Sequence, residues 1–285
     1  MKRCALLVMT MLLCYLPFAK AQQPFTLEQI MSAPFPAHLT AAGTGNRVAW
    51  TLNQEGRRNI WVAELPAVSQ RQLTKYAEDD GQELSELSFS ADANTIVYVR
   101  GDGKNSAGQS PNPASNPAGA EQAIWTASWS GGDPKRIDVG NSPQISARGV
   151  LAYVKDGQLW IVPLNGTEKP QQIVVRGKSA DPKWSPDGSL LAFASSRGDH
   201  SFIGLYDAAA KTVRFVAPSV DSDGQAVWSL DGKRLAFVRR PAEQRDTPEG
   251  YFIAPDKPHP WAIWIADVTA ATAHEIWHSS ANPQG

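Results

Sequence analysis

The sequence predicts an all-β fold, a β-propeller of four-stranded blades. Three observations lead there. A strand-turn-strand motif recurs at a spacing of 44 residues, an Ile-Trp element follows the copies, and the chain is rich in turn formers, with 22 Gly and 21 Pro beside 10 Trp in 285 residues. Repeats of about 40–45 residues with four short strands each are the signature of propeller blades.

The clearest copies are Asp181-Pro-Lys-Trp-Ser-Pro-Asp-Gly188 before Leu190-Leu-Ala-Phe-Ala194, and Gln225-Ala-Val-Trp-Ser-Leu-Asp-Gly232 before Arg234-Leu-Ala-Phe-Val238. Asp-Gly between alternating apolar runs predicts a hairpin, because Gly supplies positive φ without steric cost. Weaker copies start at Leu39, Leu87 and Pro143 and lead to Arg47-Val-Ala-Trp50, Thr95-Ile-Val-Tyr-Val99 and Val150-Leu-Ala-Tyr-Val154. Third strands are expected at Asn59–Ala63, Ala123–Ala127, Gln158–Val162, Phe202–Tyr206 and Ala262–Ala266, with Gly204 standing in the Trp place of the fourth. Fourth strands are expected at Arg71–Thr74, Lys135–Asp138, Gln171–Val174, Val213–Val216 and Glu275–Trp277. About five blades result.

Residues 1–21 read as a cleavable export signal: Lys2 and Arg3, an apolar stretch Ala5–Phe18, then Ala19-Lys20-Ala21 with the cut expected after Ala21. Fourteen apolar residues are too few to span a bilayer, which needs about 20. The expected location is periplasmic or secreted, with no membrane attachment after cleavage. Both cysteines, Cys4 and Cys14, leave with the signal, so residues 22–285 have no thiol chemistry. A formal charge of -1 disfavours a nucleic-acid partner held by a basic surface.

Two insertions, 101–122 and 241–260, fall between second and third strands and therefore emerge on one face of the propeller. The first is low in complexity. The second carries Tyr251 and Phe252 and runs into Trp261, and these three aromatics are the candidate interface residues.

The sequence holds no complete catalytic or metal site. His274-Glu275-Ile276-Trp277-His278 fits H-E-x-x-H, which binds zinc only on a helix. On a strand, residues four apart stand roughly 13 Å apart at ~3.3 Å per residue, too far for one ion. The pentapeptide occupies a fourth-strand slot. No G-x-S-x-G occurs, Asp199-His200 sits in a hairpin turn, and Asp79-Asp-Gly81 and Asp221-Ser-Asp-Gly224 read as turns rather than calcium loops. No cofactor motif is present.

Thr26-Leu-Glu-Gln-Ile-Met-Ser-Ala-Pro-Phe-Pro36, Arg58-Asn-Ile-Trp61, the Trp-Ser-Pro-Asp-Gly copies and Pro260-Trp-Ala-Ile-Trp-Ile-Ala-Asp267 resemble the N-terminal propeller of exported prolyl oligopeptidase family (S9-type) serine peptidases. The resemblance covers the chain after residue 21. It implies WD40-like (PD40) blades in a seven- or eight-bladed ring that gates peptide access to a C-terminal α/β-hydrolase domain. On that reading the chain is a partial propeller, cut before the catalytic domain, inactive alone, with that domain and peptide substrates as its partners. The adjacent glutamates of the dipeptidyl peptidase branch are missing. The repeat is also similar to that of periplasmic TolB-type propellers, which implies a self-contained protein-binding module instead.

Overall fold

The computed structural model describes residues 25–67, 69–105, 107–109, 121–242, 260–270 and 272–279. The chain divides into two compact units, Met1–Ala33 and Pro34–Gly285. In the first, a single-turn helix, α1 (Leu27–Met31), is nucleated by a capping box. The Thr26 hydroxyl accepts from the Gln29 amide at 3.1 Å, and the Gln29 side chain accepts from the Thr26 amide at 3.0 Å.

Among the described residues the second unit forms five four-stranded antiparallel meanders in sequence order. Blade 1 holds β1 (Phe35–Ala41), β2 (Arg47–Gln54), β3 (Arg57–Glu64) and β4 (Ser69–Gln72). Blade 2 holds β5 (Leu84–Phe89), β6 (Thr95–Arg100), β7 (Ala123–Ser128) and β8 (Lys135–Val139). Blade 3 follows with β9 (Asn141–Ile145), β10 (Val150–Lys155), β11 (Gln158–Pro163) and the two-residue β12 (Gln171–Gln172). Blade 4 comprises β13 (Lys178–Trp184), β14 (Leu190–Ser196), β15 (Ser201–Asp207) and β16 (Thr212–Val216). Blade 5 comprises β17 (Ser222–Trp228), β18 (Arg234–Arg240), β19 (Ala262–Asp267) and β20 (Thr272–His278). A single parallel pair, Ser201 with Ser222, joins the last two sheets.

The expected hairpin at Asp-Gly is a longer loop than a two-residue turn. Ser185 pairs with Leu190 across four residues, its hydroxyl accepts from the Leu190 amide and donates to Asp187, and Gly188 takes φ +68°. Ser229, Asp231 and Gly232 repeat this loop, and Ser90 with Asp92 builds it in blade 2, where Ala93 adopts φ +57°. The serine and aspartate supply the loop's internal hydrogen bonds; glycine only relieves strain.

Cores lie between blades, not within them. The second strands are apolar on both faces: Ile96 and Tyr98 face blade 1, while Val97 and Val99 face blade 3, and all four are 0% exposed. Similar clusters seal blades 3 and 4 around Phe193 and blades 4 and 5 around Phe237. Burying one such side chain is worth about 1.5–3 kcal/mol, so each blade depends on its neighbours.

In four blades an aromatic on the second strand opposes Trp on the third: Trp50–Trp61, Tyr98–Trp125, Tyr153–Trp160 and Phe237–Trp264. Blade 4 opposes Phe193 to Gly204. A Cβ on Gly204 would lie 2.4 Å from the Phe193 ring, so the ring occupies the place of the missing indole.

The end faces differ from the seams. Ala236, Val238 and Ile263 of blade 5 are only half-buried, whereas their counterparts Val97, Val99 and Ile124 are fully buried under blade 3. Ile276, counterpart of Ile137, is 52% exposed, and Leu39 on the free side of blade 1 is 75% exposed where Ala226 is 3%.

Candidate functional site: the inner strands

The first strands of successive blades touch in order, β1 with β5, β5 with β9, β9 with β13 and β13 with β17, so they form the inner rim of the blade array. Each carries a bulge at one position, and the bulged residue is left-handed in every case: His38, Glu86, Ser142, Asp181 and Gln225, with φ between +49° and +57°. A bulge leaves one residue out of the ladder and re-aims its side chain. All five are polar.

A cavity of about 300 Å³ lies among the bulges of blades 2, 3 and 4, lined by Glu86, Ser88, Ser142, Gln144, Asp181 and Lys183 with the neighbouring Leu87, Pro143 and Pro182. Burial pushes the Glu86 carboxyl above its ordinary pKa, against the opposing pull of a hydrogen bond from the Ser142 backbone and the charge on Lys183. The buried Ser88 hydroxyl has no hydrogen-bond partner among the described residues. A second cavity, about 460 Å³, sits where first strands turn into second strands. It shares Gln144 and Lys183 with the first and is walled by Phe89, Trp184 and Trp228. The indoles are fixed from the preceding blade: Trp184 Nε1 donates to the Gln144 carbonyl at 3.2 Å and Trp228 Nε1 to the Lys183 carbonyl at 2.9 Å. Polar bulges leading to an aromatic-walled space suit binding of an extended, partly apolar ligand.

The residues singled out by sequence fall elsewhere. Trp261 is half-buried at the entry to β19, its ring 4.7 Å from that of Trp277 and its amide bonded to the Ser279 hydroxyl. Tyr251 and Phe252 lie outside the described residues, as do residues 1–21. His274 and His278 lie on β20, as the fourth-strand slot requires, and His278 Nδ1 meets Glu275 Oε1 at 2.7 Å. His274 opposes Ile265, the register position that holds Arg71 in blade 1 and Arg214 in blade 4. Both arginines donate to a carbonyl of the next blade, Trp129 and Val268, so His274 stands where a blade-to-blade clamp stands elsewhere. His200 meets Asp199 at 2.6 Å in its turn. Among the described residues no three His, Cys, Asp or Glu converge as a metal site would require.

Asp79-Asp-Gly81 lies in the connector into blade 2, whereas Ser222-Asp-Gly224, expected as a turn, belongs to strand β17 and pairs with β18. Asp80 pairs with Arg100, and Asp223, 2% exposed, accepts two bonds from Arg239 at 2.7 and 2.8 Å. Arg239 stacks 4.5 Å over Trp264 and also donates to the Ala217 carbonyl. The sequence signal was present in Arg239-Arg240 closing an apolar strand opposite Asp223.

No family model matches the chain. No curated protein matches it either. Solved structures share the fold at low identity. Dipeptidyl peptidase 4 of Porphyromonas gingivalis is 12% identical with a TM-score of 0.57, over 93% of this chain and 43% of its own. An oligogalacturonate lyase from Vibrio parahaemolyticus is 13% identical with a TM-score of 0.52, over 80% of this chain and 62% of its own. A protein described as a TolB from Agrobacterium tumefaciens is 16% identical with a TM-score of 0.50, over 86% of this chain and 81% of its own. The chain is a β-propeller. It spans less than half of the Porphyromonas peptidase it resembles.

Proposed function

We propose that this chain is the substrate-gating propeller of an exported prolyl oligopeptidase family serine peptidase. Hydrolysis would be carried by an α/β-hydrolase domain outside these 285 residues. The observation that carries the reading is the rim of polar bulges beside the Trp184 and Trp228 wall, a surface suited to selecting a ligand by shape and polarity. The motif runs at Thr26–Pro36 and Pro260–Asp267 support the family. Residues 1–21 direct export, with cleavage after Ala21 and a periplasmic or secreted product; N-terminal sequencing of the exported chain tests this.

Titration of residues 22–285 with short peptides, followed by tryptophan fluorescence, tests the role. Saturable quenching lost in Trp184→Phe and Trp228→Phe, with no peptide cleavage, is the expected result. Binding that ignores both substitutions overturns the assignment of the rim. The parent gene gives an independent test, since the reading frame should encode further blades and a G-x-S-x-G.

A second reading is a TolB-like, protein-binding propeller, favoured by the 81% span of the Agrobacterium structure. Under it the ligand is a folded protein engaging the face of the 2–3 insertions, with Tyr251, Phe252 and Trp261 as contact residues. Alanine at Trp261 then weakens that complex while leaving peptide binding intact.

A further inference from the structure

Two of the four seams are stapled by a cation on a second strand and a carboxylate from the preceding blade or its connector, and in blade 5 the same cation position pairs with a carboxylate of its own first strand. Arg100 takes Asp80 and lies 4.4 Å over Tyr76. Lys155 takes Asp138 at 2.9 Å, and Arg239 takes Asp223. By register these three cations hold one repeat position.

Blade 4 breaks the pattern on both sides. Its cation position is Ser195, which opposes Ser179 as Arg239 opposes Asp223. Both serines are buried, 0% and 3% exposed, and neither hydroxyl has a hydrogen-bond partner among the described residues. The connector into this blade, Ile173-Val-Val-Arg-Gly177, has no acid and brings Arg176 instead.

Beside the serine rung is a cavity of about 390 Å³ lined by Gly177, Lys178, Ser196, Arg197 and Gly198. Arg197 is anchored there by a 2.9 Å bond to the Arg176 carbonyl and by the Phe215 ring 5.7 Å from its guanidinium. Among the described residues Arg176, Lys178 and Arg197 form no ion pair. Of the acids close by in sequence, Asp199 meets His200 at 2.6 Å and Asp221 accepts from Ser219 at 3.3 Å, while Asp181 stands at the inner bulge beside the 300 Å³ cavity.

We infer that this cavity is an oxyanion site, which takes the carboxylate or phosphate group of a ligand where blades 2, 3 and 5 pair their second-strand cation with a carboxylate of the protein. Cations gathered without a counter-charge repel one another, and an anion between them reverses that term. Guanidinium presents a planar fork matched to carboxylate or phosphate, and an ammonium adds a point charge. The site lies at the 2–3 turn end of blade 4, and it stands whether or not the chain gates a peptidase.

Residues 22–285 are titrated with sodium succinate and, separately, inorganic phosphate at constant ionic strength against chloride, with the melting temperature as readout. A saturable rise with either oxyanion is expected, and the tighter of the two identifies the group. Lys178→Gln and Arg197→Gln should each weaken it about fivefold or more, by the affinity scale of 1.4 kcal/mol per decade. Arg148→Gln, in the 1–2 turn of blade 3 at the opposite end, should leave it unchanged. Lys178 is exposed and its substitution does not threaten folding, so loss of structure in Arg197→Gln leaves the test intact. A rise that does not saturate, or one that Lys178→Gln and Arg148→Gln share equally, overturns the site.

Discussion

Blades 4 and 5 carry the most similar sequences in the molecule, yet they are held by different means. Both place a left-handed residue at the inner bulge, Asp181 and Gln225; both close the Ser-x-Asp-Gly loop; both tie an indole to the preceding blade. Blade 5 then packs Phe237 against Trp264 and pairs Asp223 with Arg239, where blade 4 has Phe193 over Gly204 and Ser179 beside Ser195. The repeated motif specifies strand, loop and bulge, because those depend on local hydrogen bonding. It does not specify what fills a seam, which depends on both blades.

Restoring the repeat in blade 4 should be the most damaging change. Gly204→Trp drives a side chain into the Phe193 ring, and with no room to relax it should cost more than the ~1–3 kcal/mol of ordinary overpacking. Denaturant unfolding or loss of soluble protein reports it, and Phe193→Ala in the same chain should recover part of the loss. Full stability in Gly204→Trp would show that the two blades are interchangeable after all.

The next effect is the blade 5 staple. Arg239→Ser strands a buried carboxylate and should cost about 3–5 kcal/mol, while Asp223→Ser with Arg239→Ser, which copies blade 4, should cost clearly less. Equal losses would mean that the guanidinium matters for packing on Trp264 rather than for charge.

Seams and end faces can be set against each other in solution. The half-buried Val238 and exposed Ile276 should drive concentration-dependent self-association, and Val238→Lys with Ile276→Lys should weaken it tenfold or more, about 1.4 kcal/mol, by light scattering. A monomer that the double substitution leaves unaltered contradicts this.

Ser195→Ala removes a hydroxyl that has no partner among the described residues and should change stability by no more than about 0.5 kcal/mol, in contrast to Arg239→Ser at the same register position. The smallest effect belongs to the shared loop. Hydrogen bonds from Ser185 and then Ser189 hold Asp187 at about 2, and Asp92 and Asp231 are lowered in the same way by Ser90 and Ser229. A depressed folded value means stability that is present above the unfolded carboxylate range and is lost as pH falls from about 4 through 2. Asp187→Asn should therefore lower the melting temperature at pH 7 slightly, at most ~0.5 kcal/mol given its exposure, and the difference should fade as pH drops through about 2 and vanish below it.

The blades were legible in the sequence because their signals are local. Tyr98, Tyr153, Phe193 and Phe237 sit in apolar runs, and third strands follow them at Ile124-Trp125, Leu159-Trp160, Ile203-Gly204 and Ile263-Trp264. Even the Gly204 exception was visible, although its cause, the Phe193 ring above it, required the register. The inner bulges were not legible. His38, Glu86, Ser142, Asp181 and Gln225 share no residue type, and a left-handed residue imposed by the pleat of a neighbouring strand leaves no local mark. Asp221-Ser-Asp-Gly224 reads as a turn in the sequence because Asp223 and its partner Arg239 are 16 residues apart, and only burial distinguishes their pairing from surface charge.

The placement of the staples has an evolutionary consequence. Each acid lies on the preceding fourth strand, on the connector, or on the first strand of the blade bearing its cation, so a stretch of gene copied from one fourth strand to the following third strand transfers both halves together. Such a duplication would enter the array with its charges already balanced, and lineages could change blade number without first evolving a compatible neighbour.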